Sequence, residues 1–355
     1  MSDGKVKVTV VVLTFNTLKS GYLEGCFDTL AATNTDGIEL EVMAVDNCSS
    51  DGTPDEIRRR WPGCRVIDSG GNWGYAGGNN LGIQQALDGG SDYVYLINHD
   101  TEVDPDFLVE AVRVAQADET VGCVQSLLLL HPDRELVNST GNAIHFLGFG
   151  YCLDYRRPRT DIDTEAVREV AYASGAGALY RADVLRLVGG FDPTFFMYHE
   201  DLDLGWRIRL AGYRNVMAPK SVVWHKYEFS RSIGKFYYME RNRYLTLFKN
   251  LRLRNLLVLA PFLVVAEVGL ALPAVRGGWW LKKLKSLFYF LNPKVWRHVI
   301  AEREKVASWR RVSDREIAAL FTPVIRDQEQ PSLFAMWVAN PLLEVTWKVL
   351  RPLIR

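Results

Sequence analysis

Two short polar runs, about a hundred positions apart, hold the side chains in this chain most able to do chemistry. The first is Asn98-His99-Asp100, where the apolar run Tyr93 to Ile97 stops abruptly. That run has the β-branched and aromatic pattern of a buried strand, and the carboxyl end of a central strand is where open α/β sheets bind ligands. Asp100 is a metal-competent carboxylate. A plain strand-to-helix turn uses the same residues, because Asp104-Pro105 supplies an N-cap and a first-turn proline. The second run is Glu200-Asp201-Leu202-Asp203, three carboxylates within four residues. If a helix opens at Glu200, Asp203 and Arg207 stand at i, i+4 and pair structurally. Glu200 and Asp201 then occupy the first turn, where the helix dipole favours negative charge. An acidic helix cap explains the run without any chemistry.

The segments around these runs set out a scaffold. Val6 to Leu13 is a strongly β-branched run ending at Thr14-Phe15-Asn16, followed by a short helix from Leu23 to Ala32. Leu40 to Val45 is a second apolar strand, stopping at Asp46-Asn47 and a loop of turn formers that ends at Thr53-Pro54, the start of another helix. Strand, polar loop and helix repeated in this order give the βαβ rhythm of a parallel sheet. Asp46 can accept hydrogen bonds from a ribose or a base N–H, or it can cap the helix. Arg65 to Ile67 is a third strand, and Gly70 to Gly82 a glycine-rich loop with five glycines before Asn79. Such a loop lets backbone N–H groups approach an anionic ligand. Its spacing, Gly71, Gly74 and Gly77, misses G-x-G-x-x-G, which counts against a nicotinamide dehydrogenase. Ser49 stands where the phosphatase string D-x-D-G-T needs its nucleophilic Asp, so that chemistry is excluded. A nucleotidyltransferase would show a basic, glycine-rich loop directly after the first strand, and Thr14-Phe15-Asn16 is not one.

Further along, Phe107 to Ala117 reads as an amphipathic helix and Val121 to Leu130 as a long apolar strand. Residues 131–170 are polar and irregular, an insertion expected to fold over the substrate. Tyr172 to Tyr180 is a glycine-broken strand whose small residues allow close approach. Asn215 to Ala218 and Val222 to His225 follow as apolar runs, with His225 either a satisfied structural residue or a ligand. Lys226 and Arg231 can neutralise phosphate or remain surface charges.

Composition divides the chain at residue 230. Residues 231–355 hold 22 Lys/Arg and 9 Asp/Glu, leaving 20 and 33 for residues 1–230, so a net charge of zero hides an acidic body and a basic tail. Such asymmetry points the tail toward an anionic surface, and no nucleic-acid partner is expected. Leu256 to Val275 is long enough to cross a bilayer, but Pro261, Pro273 and Glu267 interrupt it and both flanks are basic. Trp280, Leu281, Leu284, Leu287, Phe288 and Leu291 form one apolar stripe, with Lys282, Lys283, Lys285 and Ser286 opposite. Leu333 to Ile354 adds another apolar stretch. Basic amphipathic helices with boundary tryptophans sit on anionic membranes. Packing on the catalytic half or in a homo-oligomer interface is the rival explanation. The five cysteines form no C-x-x-C pair and no signal peptide is visible, so reduced thiols in a cytosolic setting are expected.

The order Thr14-Phe15-Asn16, Asp46 to Thr53, Asn72-Trp73-Gly74-Tyr75-Ala76-Gly77-Gly78-Asn79-Asn80 and Leu96 to Asp100 resembles family 2 glycosyltransferases, closest to the bacterial rhamnosyltransferase-like branch, over roughly residues 6–250. The resemblance implies a GT-A fold: a three-layer α/β/α nucleotide-sugar-binding domain with a mostly parallel sheet, spanning residues 1–230. Its donor half would be 1–104 and its acceptor half 105–230, followed by a helical, membrane-associated tail. It implies that Thr14, Asn16 and Asp46 hold the nucleoside, with Asn47, Asn72, Gly74, Tyr75, Asn79, Asn80, Asn98 and His99 in the same donor site. Asp100 would bind Mg²⁺ or Mn²⁺ together with His225, Asn98 replacing the first acid of the family's D-x-D element. In the E-D-x-D element Asp201 would be the general base, with Glu200 orienting it or the acceptor. The implied reaction is an inverting transfer, first of all of L-rhamnose from dTDP-rhamnose, to a hydroxyl of a lipid-linked glycan. Its setting would be cell-surface polysaccharide synthesis at the cytoplasmic face of a bacterial inner membrane. A UDP-hexose or UDP-galactofuranose donor, or a non-catalytic sugar-binding scaffold of the same fold, are the alternatives.

Overall fold

A computed structural model describes residues 4–227, 236–325 and 335–355. Its centre is β1 (Val6–Thr14), flanked by β2 (Ile38–Asp46) and β4 (Tyr93–Asn98), with β3 (Arg65–Asp68) beyond β2 and all four parallel. Val8, Val10, Val11 and Val12 are fully buried, as a strand covered on both faces requires. Alternation sends Val10 and Val12 into one core, against α1 (Leu23–Ala31), α2 (Thr53–Arg60) and α4 (Phe107–Ala117). Val11 and Leu13 enter a second core with α3 (Gly74–Asp88), α5 (Ala182–Val188) and α6 (Glu200–Leu210). The fold is therefore the expected helix–sheet–helix sandwich.

Beyond β4 the sheet becomes mixed. After the short β5 (Thr101–Val103) come β6 (Val121–Leu130), β7 (Val137–Ser139), β8 (Asn142–His145), β9 (Gly150–Cys152), β10 (Arg168–Val170), β11 (Gly177–Arg181) and β12 (Arg214–His225). The main order is β10-β12-β6-β11-β4-β1-β2-β3, with β11 antiparallel between β4 and β6 while β12 runs parallel to β6. The two runs expected at 215–218 and 222–225 are one strand, bulged between Ala218 and Val222.

Two expectations change here. The segment read as a glycine-rich loop is helical from Gly74 onward, and Gly74, Gly78 and Gly82 lie in close packing. A Cβ on Gly82 would lie 2.3 Å from Val11 Cγ1 and one on Gly74 2.4 Å from the Phe196 carbonyl oxygen, so only glycine lets α3 approach β1 and the chain before α6 this closely. The insertion at 131–170 is not a loose cover either. Val137 to Phe146 are buried, with β7 pairing with β6 and β8 with β9.

The basic region is helical: α7 (Phe236–Asn250), α8 (Leu253–Arg276), α9 (Trp280–Phe288), α10 (Pro293–Trp309), α11 (Asp314–Ala318) and α12 (Asn340–Leu350), with β13 (Phe321–Thr322) beside β8. Trp206 and Leu210 of α6 share a third core with Leu247, Leu259, Phe321 and Trp347, so these helices are joined to the catalytic half by common packing. The boundary expected after residue 230, and Arg231 with it, lie outside the described residues.

Val11 is β-branched and cannot rotate away from an added methyl. Gly82→Ala is therefore expected to lose about 1–3 kcal/mol by overpacking despite alanine's higher helix propensity, read as a lower urea midpoint at unchanged m-value.

Candidate active site

The carboxyl ends of β1 and β2 are stitched together by the residues expected to hold a nucleoside. Thr14 Oγ1 donates to Asp46 Oδ1 at 3.0 Å across a β1–β2 register pair. Asp46 is buried and also accepts from the Ser49 N–H at 2.8 Å and hydroxyl at 2.6 Å. Asn16 takes a left-handed φ of 50° and its Oδ1 accepts from the Ser50 N–H at 2.8 Å, leaving the residue at the exposed mouth. Asn47 clips this loop to the start of α3. Its amide nitrogen donates to Asn72 Oδ1 and the Gly74 carbonyl, both at 3.1 Å, and its oxygen accepts from the Trp73 N–H at 3.0 Å.

Further along α3 the side chains turn to the scaffold. Asn79 is buried and donates to the Tyr75 carbonyl at 2.9 Å. Asn80 exchanges two hydrogen bonds with the backbone of Phe191, at 2.7 Å and 2.8 Å. Both were expected at the donor; Asn80 is held by the Phe191 backbone, and the Asn79 amide nitrogen bonds within α3. Tyr75 reaches across instead, its hydroxyl donating to the Gly175 carbonyl at 2.8 Å.

At the end of β4 the backbone N–H of Asn98 lies 3.4 Å from the Ala176 carbonyl, and His99 Nδ1 is 3.1 Å from the Leu13 carbonyl. Asp100 Oδ1 faces His225 Nε2 at 3.4 Å. The pair is brought together by β5, which runs antiparallel to the end of β12 with Thr101 opposite His225. Asn138 Oδ1 lies 3.0 Å from His225 Nδ1, so that nitrogen donates and Nε2 points at the carboxylate. Burial alone would raise the Asp100 carboxyl, but the charge and hydrogen bond of His225, with His99, outweigh it and hold the group down to about 2. One carboxylate oxygen beside one imidazole nitrogen fits a divalent cation of the Mg²⁺ or Mn²⁺ type, whose remaining positions a diphosphate and water would fill. No cluster of three or more acidic, His or Cys ligands occurs among the described residues. Lys226, expected near phosphate, is buried, with Nζ 3.2 Å from Glu102 and 4.9 Å from the Tyr22 ring.

The acidic run opens α6. His199 sits at its N-cap with φ 67°, and Phe196 and Tyr198 before it also have φ above 60°. Three non-glycine residues in this region each cost energy, and the surrounding structure must hold them there. Asp201 Oδ1 accepts from the Leu202 N–H at 2.7 Å and Oδ2 from the Gly175 N–H at 3.4 Å. The Ser174–Ala176 turn thus touches Asp201 on one side, the end of β4 on another and Tyr75 on a third. Burial, then the charges of Glu200, Asp201 and Asp100, raise the Tyr75 hydroxyl well above its ordinary range. Burial lifts Asp201 to about 6 against the pull of the Leu202 and Gly175 N–H groups. Glu200 is driven well above the usual carboxylate range by burial and then by the Asp201 charge.

Asp203 and Arg207 form the anticipated i, i+4 pair, with Nε to Oδ2 at 2.9 Å. The sequence reading missed what joins them. Lys249 of α7 reaches Asp192 at 2.6 Å and Asp203 at 3.1 Å, and Asn250 donates to Asp203 at 2.9 Å, all buried. Arg241 donates to the Thr194 and Phe195 carbonyls, and the Asn242 amide nitrogen lies 2.9, 2.9 and 2.7 Å from the carbonyls of Phe195, Met197 and Tyr198. The R-N-R stretch of the basic region therefore clamps the strained segment before α6. Polar residues at 241, 242, 249 and 250 inside an otherwise apolar helix were the available signal.

The family model described as glycosyl transferase family 2 matches residues 9–189. The chain belongs to that family. It is 30% identical over 207 residues to N-acetylglucosaminyl-diphospho-decaprenol L-rhamnosyltransferase of Mycobacterium tuberculosis, covering 52% of this chain and 66% of that enzyme. It is also 30% identical over 175 residues to the low-salt glycan biosynthesis hexosyltransferase Agl10 of Haloferax volcanii, covering 48% of this chain and 53% of that one. Among solved structures, GalNAc-T7 with UDP, GalNAc and Mn²⁺ superposes with TM-score 0.55 at 15% identity, over 70% of this chain and 48% of that one. Staphylococcus aureus TarS (residues 1–349) with UDP gives TM-score 0.52 at 15% identity, over 98% and 90%. These structural likenesses establish the GT-A fold.

Removing Lys249 would strip Asp192 and Asp203 of the cation they share, leaving them His298 and Arg207. Lys249→Met is expected to cost about 3–5 kcal/mol, measured by chemical denaturation.

Proposed function

We propose that this glycosyltransferase moves a sugar from a nucleoside diphosphate donor to a hydroxyl of a lipid-linked glycan with inversion, L-rhamnose from dTDP-rhamnose being the first donor to test. The observation that carries the reading is the placement of Asp201: a half-buried carboxylate lifted to about 6 in the first turn of α6, beside the same turn that meets the end of β4. A general base works best when its pKa lies near the operating pH. The rhamnosyl and lipid-linked parts of the proposal are supported by the name of the mycobacterial relative.

In this reading Thr14, Asn16 and Asp46 grip the nucleoside at the ends of β1 and β2, and Asn47 and Asn72 fix the wall formed by the start of α3. Asp100 and His225 would hold the divalent cation, which when bound supplies Lewis-acid neutralisation of diphosphate charge. Asp201 accepts the proton of the attacking hydroxyl as its oxygen bonds to the anomeric carbon. The bond from that carbon to the donor phosphate breaks with its electron pair leaving on the diphosphate. Entry and departure on opposite faces in one displacement invert the centre. Glu200, kept protonated by burial and its charged neighbour, can donate a hydrogen bond that orients the acceptor or Asp201. Asn242 and Arg241 act through the backbone, as positioning residues for that acid pair.

Only ionised Asp201 can take a proton. kcat/KM for transfer is therefore expected to fall about tenfold per pH unit below a pH near 6 and to level off above it. Asp201→Asn should lower kcat by about 10²–10⁴-fold with donor affinity retained, and unchanged rates would refute the assignment. Donor identity is read by incubating the chain with dTDP-rhamnose, UDP-hexoses and UDP-galactofuranose and following nucleoside diphosphate release. With the productive donor, chelation should abolish turnover and added Mn²⁺ or Mg²⁺ restore it, while Asp100→Ala should remain inactive at any metal concentration.

A further inference from the structure

The helices α8 and α9 are inside out for a protein surrounded by water. In α9, Lys283 and Ser286 face the interior and are buried, while Leu281, Phe288 and the following Leu291 point outward, Leu291 at 75% exposure. In α8 the inward stripe is Asn255, Leu259 and Leu263, continuing to Glu267, and Val268 on the outer side is 72% exposed. Only 11% of the most apolar eighteen-residue stretch of α8 is buried within the protein. Near α12, Trp337 is 77% exposed. An amphipathic helix on a soluble protein turns its charged face to solvent and its apolar face to the core. Here Lys283 and Glu267 are turned inward while most of the hydrocarbon of both helices faces outward, which suits an apolar medium beyond this face.

Charge names that medium. Arg252 and Arg254 before α8, Arg276 at its end, and Lys282 and Lys285 on α9 are exposed cations around the apolar area. Leucine and tryptophan rimmed by Lys and Arg suit the acyl–headgroup boundary of an anionic bilayer. A second copy of the chain would bring the same cations against one another.

The buried charges also decide the orientation of α8. Glu267 accepts from Arg243 Nη2 and Tyr244 Oη, each at 2.5 Å, and pairs with Lys283 Nζ at 2.6 Å. Arg243 is fully buried in α7, which also carries the clamp on the acidic run. A helix of this length standing across a membrane would extend about 36 Å and would carry Glu267 to mid-bilayer. Its partners Arg243 and Lys283 would have to follow, and α7 cannot do so while Asn242 holds the segment before α6. The site lies close by: Lys285 Nζ is 5.1 Å from the Tyr237 ring, Tyr237 is 5.2 Å from Tyr238, and Tyr238 stacks on Phe196 at 5.3 Å.

We propose that α8 and α9 form a monotopic platform that lies in the plane of an anionic bilayer, apolar face down, with α8 fixed parallel to the surface by the Glu267–Arg243–Lys283 cluster. This extends the lipid-linked acceptor reading, and is tested without it because the vesicles used contain no acceptor and no donor is supplied.

The test is co-sedimentation of the full chain with phosphatidylglycerol/phosphatidylcholine vesicles and with phosphatidylcholine vesicles. Binding is expected to be at least tenfold tighter on the anionic vesicles, to weaken but persist in high salt, and to be released by alkaline carbonate. Leu281→Asp with Phe288→Asp should weaken vesicle binding at least tenfold with donor turnover in solution unchanged. Should that variant not fold, hydrogen exchange on the unaltered chain decides, with slowed exchange across residues 253–291 on adding anionic vesicles supporting the platform. Unchanged exchange, or no sedimentation with either vesicle, overturns it. Resistance to carbonate would instead show a spanning helix. A dimer in sedimentation velocity that the double variant dissociates would give the face to a second copy.

Discussion

Asp203 is a fully buried carboxylate, and much of the site is arranged around keeping it paired. Arg207, Lys249 and Asn250 surround it with donors, and burial that would raise its carboxyl is overcome by the charges of Lys249 and Arg207. An unpaired charge in such a place costs several kcal/mol, so each partner is fixed once the acid is there. Arg207 is thereby aimed at the carbonyls of Val188, Gly189 and Gly190, next to the Phe191 backbone that Asn80 grips from α3. Lys249 is aimed at Asp192, whose carboxylate also caps the turn at Thr194 and contacts His298. One buried acid therefore ties α3, α6, α7 and α10 into a single frame.

That frame makes strain at the site affordable. Phe196, Tyr198 and His199 adopt left-handed backbone conformations just before the acidic run, and no side chain caps α6 at His199. Arg241 and Asn242 satisfy the carbonyls of that bend from α7. Glu200 and Asp201 enter the first turn already oriented, in a place too dry to ionise both easily. Burial raises both carboxyls, and the Asp201 charge raises Glu200 further. The first carboxylate, Asp100, is tuned the opposite way by His225 and His99.

The basic region does two physical jobs with the same helices. Its inner faces pair Lys249 with Asp192 and Asp203 of the acidic half, and Lys283 with Glu240 and Glu267 of the basic region itself. The charge asymmetry between the halves is thus partly internal, and Arg252, Arg254, Arg276, Lys282 and Lys285 lie exposed around the outward apolar faces of α8 and α9. Lysines at 282, 283 and 285 look alike in sequence, yet only Lys283 is turned inward.

Much of the fold could be read from residue order. Continuous β-branched runs require strands buried on both faces, and the polar residues at their ends mark where ligands bind, so β1, β2, β4 and the family membership follow from local chemistry. The Asp203–Arg207 pair follows from helical spacing alone. Other features depend on contacts between distant segments, which no local pattern encodes. Helical structure in Gly74–Asn80 arises because α3 must approach Val11 and Phe196 more closely than any Cβ permits. Burial of 137–146 arises from β6 pairing with β7 and from β9 and β13 flanking β8. Asn138 beside His225, and Lys249 beside Asp203, are consequences of packing across tens of residues. Sequence by itself determined which strands and acids exist. Tertiary structure decided which buried charges meet, because the energy of a buried ion is set by its partners in space rather than by its neighbours in the chain.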